Sequence, residues 1–140
     1  MTSRPARAAC ALLSTLLAAC APTTLTRTEP LDVKGREIAP YEFHEECGEV
    51  AAGERIDFRF TATRRVHFEI YYKDGIASIA PVVHDDTMAA SGVFPPPVTR
   101  RYCLRWDVDR AGAIVDYRIR ILSPATANEP RSTPGWTVIQ

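Results

Sequence analysis

The chain has 140 residues, with 17 basic and 17 acidic side chains and no net charge at pH 7. That balance gives no electrostatic footprint for nucleic acid. The length suits one domain with a real core. All the basic residues except Lys34 and Lys73 are arginine, a bias that a GC-rich genome explains without a functional cause.

The first residues carry Arg4 and Arg7 and no acid, followed by an apolar run from Ala8 to Ala19. The run falls short of the roughly 20 apolar residues that a membrane-spanning helix needs. A basic start, a short apolar core and a small-residue end form the layout of a secretory signal. Leu17-Ala18-Ala19-Cys20 resembles the lipobox of bacterial lipoproteins at every position. The resemblance implies a signal peptide over residues 1–19, a diacylglycerol thioether on Cys20, and a palmitate-type acyl chain on the new amine. At ~0.8 kcal/mol per buried methylene, several such chains make a stable membrane anchor. Ala21, where an Asp would favour retention in the inner membrane, points to the outer membrane facing the periplasm. An ordinary cleaved signal, leaving Cys20 as a free thiol, fits the spacing less well. Removing 19 of 140 residues leaves 121, and Arg4 and Arg7 leave with them, so 15 basic groups face 17 acidic ones.

Of the four cysteines, Cys10 is discarded with the signal and Cys20 is lipidated. Cys47 and Cys103 remain, and an even pair in an oxidising compartment reads as one disulfide. Closing a loop of about 57 residues stabilises by roughly 4 kcal/mol in the chain-entropy account. A metal or redox pair is the rival reading, but there is no Cys-x-x-Cys and the spacing is not that of a zinc site.

Residues 20–40 begin at the lipidated cysteine, hold three prolines and show little apolar patterning, so they read as a flexible tether. Extended, such a tether reaches at most ~70 Å. From residue 41 the pattern becomes period two. Ile56, Phe58 and Phe60 alternate with polar residues, as do Val66, Phe68, Ile70 and Tyr72, then Leu104 and Trp106, then Val115, Tyr117, Ile119 and Ile121. Strict alternation marks strands with one buried and one wet face. Glycine-bearing turns separate them around Gly53, Gly75 and Gly112. Ile76 to Val83 is a further strand candidate, interrupted or ended near Pro81, and Pro95-Pro96-Pro97 reads as a rigid crossing loop. No window of the mature chain has a helical period. The expected fold is therefore all-β: an antiparallel β-sandwich over residues 41–123, immunoglobulin-like in kind, with a proline-rich tail over 124–140. The thirteen alternating residues should line one core between two sheets. Cys103, of opposite parity to Leu104 and Trp106, should place the disulfide on an outer face.

A glycine-marked turn, a phenylalanine-rich strand, the strand Val66 to Tyr72 ending in Lys-Asp-Gly, and later the strand Tyr102-Cys103-Leu104 follow one another in this chain. Over residues 42–122 this order resembles the GOLD-type domain, the lumenal β-sandwich of the emp24 secretory cargo proteins. There too an early cysteine is bridged to one in a late strand. The coiled coil and membrane helix that follow the sandwich in that family have no counterpart here. The resemblance implies a binding domain and brings no catalytic residues with it.

No nucleophile elbow, phosphate loop or histidine-zinc motif occurs. His84-Asp85-Asp86, read as lying in a loop, is the best metal or small-ligand candidate, although Asp-rich loops are usually turn chemistry. His44-Glu45-Glu46-Cys47 looks like a ligand cluster, but a disulfide consumes its thiol. Arg59, Arg105, Arg118 and Arg120 fall on wet faces, and Arg100 and Arg101 lie at a strand start. They are candidates for contact with phosphate or carboxylate, or else for pairing with Asp57, Glu69, Asp107 and Asp116 across neighbouring strands. The resulting expectation is a lipid-anchored, non-catalytic envelope protein that uses no cofactor. Its sandwich binds an envelope protein partner or supports envelope structure, and a ligand- or metal-binding lipoprotein using the His84 segment is the alternative.

Overall fold

The computed structural model describes Leu25 and residues 29–124; Cys20, the signal segment and the tail beyond Pro124 lie outside them. Six strands follow in order: β1 (Leu31–Ile38), β2 (Phe43–Val50), β3 (Arg55–Asp74), β4 (Ala77–Phe94), β5 (Arg100–Asp107) and β6 (Ala113–Leu122). No helix occurs among the described residues. The strands form one antiparallel sheet in the order β1-β6-β3-β5-β2, with β4 paired to β3.

The sheet becomes a sandwich because β3 is shared. Arg55 to Ala62 pair with β6, and His67 to Tyr72 pair with β5. The β3–β4 register shifts between Thr61 and Val66, where an irregularity of the bulge kind bends the hairpin. One layer is then β1, β6 and the first half of β3 with the second half of β4. The other is β2, β5 and the remaining halves. The expected two sheets are therefore two halves of one curled sheet, with the core between them.

Inward side chains follow the alternation. Ile56, Phe58, Phe60, Val66, Phe68, Ile70, Leu104, Trp106, Val115, Tyr117 and Ile119 are buried, while Tyr72 and Ile121 are partly buried against the same core. Aromatic rings hold the layers together: Phe68 lies 4.8 Å from Phe60 and 5.2 Å from Trp106, and Trp106 stacks at 4.7 Å on Tyr117. Tyr102, with the parity of Leu104, is also fully buried and donates from its hydroxyl to the Val98 carbonyl at 2.9 Å. Cys47 and Cys103 are bonded and directly opposite each other on β2 and β5, on the outer face with Tyr71.

Three expectations need correction. Leu31–Ile38 lies inside the segment read as a tether, yet it forms β1 on β6. Its apolar residues Leu31, Val33 and Ile38 do not alternate strictly, because a register shift between Val33 and Arg36, with Gly35 at φ 66°, changes the parity in mid-strand. Further upstream, Leu25 is already part of the core, and its amide meets the Cys47 carbonyl at 3.5 Å. Only four residues lie between Cys20 and Leu25, five chain steps that reach about 17 Å at most. Next, β4 continues through Pro81. It pairs with β3 on one side only, and an edge strand can place a proline where no ladder amide is needed. Finally, His84-Asp85-Asp86 is inside β4 and not in a loop. Residues 95–99 do form a connection without strand between β4 and β5.

Leu25 explains one glycine. A Cβ on Gly48 would stand 2.7 Å from the Leu25 Cβ, so the inward face of β2 leaves room at that point for an incoming chain. Gly48→Ala should therefore lower thermal stability by displacing Leu25. Combined with Leu25→Ala it should destabilise by less than the sum of the two single changes, a coupling that a double-mutant cycle measures; strict additivity would refute the contact. Phe68→Ala should cost ~3–5 kcal/mol in denaturant unfolding. Arg101→Ala, at an exposed site, should cost less than about 0.5 kcal/mol.

Candidate functional site

The six candidate arginines do not form one positive face, because their strands belong to different layers. Arg59, Arg118 and Arg120 share the outer face of the β1–β6–β3–β4 layer. Arg101 and Arg105 lie on the outer face of the opposite layer, beside Glu49 and Glu45. Arg100 has inward parity at the sheet end, where its guanidinium covers the Tyr72 ring at 5.4 Å and donates to Asp74 at 3.0 Å.

Most of these charges are committed. Arg105 donates in bidentate fashion to Asp107 at 2.8 and 2.6 Å and lies 3.9 Å over the Phe43 ring. Arg120 is clamped by Asp57, directly opposite on β3. Arg118 approaches Asp32 only to 3.9 Å. Arg59 and Arg101 have no ion-pair partner among the described residues.

A second group lies in the His44-Glu45-Glu46-Cys47 segment, which the sequence marks as ligand-like and the disulfide sets aside. His44 and Glu46 have the inward parity of Val50, so the inner face of β2 carries charge. The Tyr117 hydroxyl donates to buried Glu46, and His44 Nε2 lies 3.0 Å from the same carboxylate oxygen and 2.8 Å from the hydroxyl. Burial first, and the Glu46 hydrogen bond and charge next, push the Tyr117 hydroxyl well above the usual phenol range, while Arg36 pulls it the other way. These residues come from β1, β6 and β2, so they tie the two layers together on the side away from the β3–β4 bend. Glu46 is 3% exposed and Tyr117 is buried beside it, while the His44 side chain stays 19% exposed, so the carboxylate and phenol are closed off within the structure. The signal was present in the parity of residues 44, 46, 48 and 50; only the four-residue pattern hid it.

The disulfide face has its own polar order. The Tyr71 hydroxyl donates to Glu45 at 2.8 Å and is pushed up to about 12, first by burial and then by that bond. Glu45, Cys47 and Cys103 form a cluster of metal-ligating residue types, but both sulfurs are used in the bridge.

His84, Asp85 and Asp86 diverge. His84 turns inward, 6.1 Å from the Phe68 ring. Asp85 turns outward to His67 Nδ1 at 2.5 Å. Asp86, at φ 51°, accepts from Arg65 through its carbonyl at 2.6 Å. Alternation along a strand separates side chains that a loop could have gathered. The three therefore form no shared site.

No family model and no curated protein matches the chain, so the GOLD-type likeness rests on strand order and the bridge alone. Among solved structures, the chain is similar to PliG of Aeromonas hydrophila, a periplasmic inhibitor of g-type lysozyme. The match has 16% identity and a TM-score of 0.53, and covers 71% of this chain and 93% of that one. At that identity the likeness is one of fold.

The buried phenols set a pH limit. Tyr71, Tyr102 and Tyr117 all have hydroxyls raised from 10.0, in each case chiefly by burial. A raised folded value means that the unfolded chain releases these protons first. The stabilisation is fully present below pH 10 and is lost as pH rises through the folded values, the Tyr71 step coming near 12. Ultraviolet titration should show Tyr71, Tyr102 and Tyr117 ionising only above pH 10, with melting temperature falling over the same range. Complete ionisation of these three by pH 10 in the folded protein would contradict the burial.

Proposed function

We propose that this chain is a lipid-anchored, non-catalytic envelope protein whose sandwich binds a partner protein, the partner being a lysozyme-type cell-wall hydrolase. The observation that carries the partner is the fold-level match to a periplasmic lysozyme inhibitor, which this chain covers almost end to end. The anchor rests on Leu17-Ala18-Ala19-Cys20. Ala21 favours the outer membrane with the domain in the periplasm. Arg105 and Arg120 are held by carboxylates on the faces, and buried Glu46 is held by Tyr117, an arrangement suited to a rigid binding module.

The short link between Cys20 and Leu25 refines the reading. A domain whose core begins five residues after its anchor stays beside the bilayer. Its partner must come to the membrane surface, as an enzyme acting on the cell wall from the periplasm does.

The two parts are tested separately. In bacterial cells, wild-type protein should fractionate with the outer membrane and carry acyl chains on Cys20 by mass spectrometry. Cys20→Ala should abolish acylation and leave the signal uncut by the lipoprotein peptidase; an unmodified N-terminus at another position would remove the anchor. Purified protein titrated into g-type lysozyme should suppress lysis of cell walls with a stoichiometric end point. Undiminished lysis at a large molar excess would remove that class of partner and leave the anchoring result intact.

A further inference from the structure

We propose that Arg59 and Arg118 form a phosphoryl-binding site on the outer face of the β1–β6–β3–β4 layer. The two residues are register partners on neighbouring strands, β3 and β6. Like charges directly opposite across a ladder are unfavourable unless something neutralises them. The neighbouring cations are already neutralised, Arg120 by Asp57 and Lys34 by Asp116 at 3.5 Å. Arg59 has no carboxylate within ion-pair distance among the described residues. Arg118 reaches Asp32 only at 3.9 Å, and its Nε is buried with no hydrogen-bond partner. A buried donor on a cation is costly to leave unmet.

Two open hollows meet at this pair. One, of about 250 Å³, is lined by Arg59, Arg118 and Thr61 and also by Asp32 and the Lys34–Asp116 pair, so its charged side chains sum to one net positive charge. The other, of about 180 Å³, is lined by the same two arginines, by Ser91 and by the Asp57–Arg120 pair. The number of donors selects the ligand class. A carboxylate has two oxygens and saturates one guanidinium fork, whereas a phosphoryl group offers three or more and can satisfy two forks at once. The group could belong to free phosphate or to a phospholipid headgroup, and a domain held close to a bilayer meets both. The site is independent of any protein partner, so its test does not bear on lysozyme inhibition.

The experiment follows the arginine Nε–H signals of the full mature chain in detergent by NMR while inorganic phosphate or short-chain phosphatidic acid is added. A saturable shift of the Arg118 Nε–H signal is expected with at least one probe, weakening as salt rises. Acetate at the same concentration should not reproduce it. Arg59→Gln and Arg118→Gln should each weaken binding by about tenfold or more. Arg101→Gln, on the opposite layer, should bind as the unsubstituted protein does. Tighter binding of phosphatidic acid assigns the site to a headgroup, and tighter binding of inorganic phosphate assigns it to the free ion. The proposal is overturned if neither probe shifts the signal, or if both probes bind equally well to Arg59→Gln and Arg118→Gln. Preserved dispersion in the variants' spectra shows that loss of binding is not loss of fold.

Discussion

β3 belongs to both layers, and the geometry of the molecule follows from how it bends. Its first eight residues are committed to β6 and a later six to β5, and the segment between them turns the chain back on itself. A strand of 20 residues has to bend or twist to cover a core only two side chains thick. β4 follows β3 along its whole length with matching irregularities, so the hairpin bends as a unit. Phe58 and Phe60 from one half then meet Phe68 from the other, at 5.1 and 4.8 Å, and the core closes within a single strand.

The side away from the bend needs other means of closure, since β1 and β2 are separate edges there. The disulfide fixes β2 to β5 within one layer and does not join the layers. What spans the gap is polar: Tyr117 of β6 holds Glu46 and His44 of β2. Leu25 fills the remaining space against Gly48. A buried carboxylate is tolerable because its hydrogen bonds are met. Leu25, upstream of β1, thus contributes to the core ahead of the first strand.

Alternation made the core legible, because a buried face imposes period two wherever a strand is regular. Where regularity fails, the pattern was lost. β1 changes parity at its glycine irregularity and read as tether, and β4, rich in small residues, read as interrupted near Pro81. His84-Asp85-Asp86 looked like a site because adjacency in sequence was taken for adjacency in space, which a strand denies. Arg59, Arg105, Arg118 and Arg120 lie on outer faces and Arg100 has inward parity, and which layer each strand joins depends on long-range pairing that no local pattern encodes. Glu46 was hidden for the opposite reason, since charged residues are seldom inward unless paired, and its partner Tyr117 lies 71 residues away.

The bend in β3 is tested most directly by nuclear Overhauser contacts in the purified protein. The account requires ring-to-ring contacts between Phe60 and Phe68 and between Trp106 and Tyr117, together with backbone contacts of Phe58 to Ile119 and Ile70 to Leu104. Contacts of β3 to β6 and β5 without any ring contact between the two halves would describe an open, unbent sheet and would contradict the sandwich.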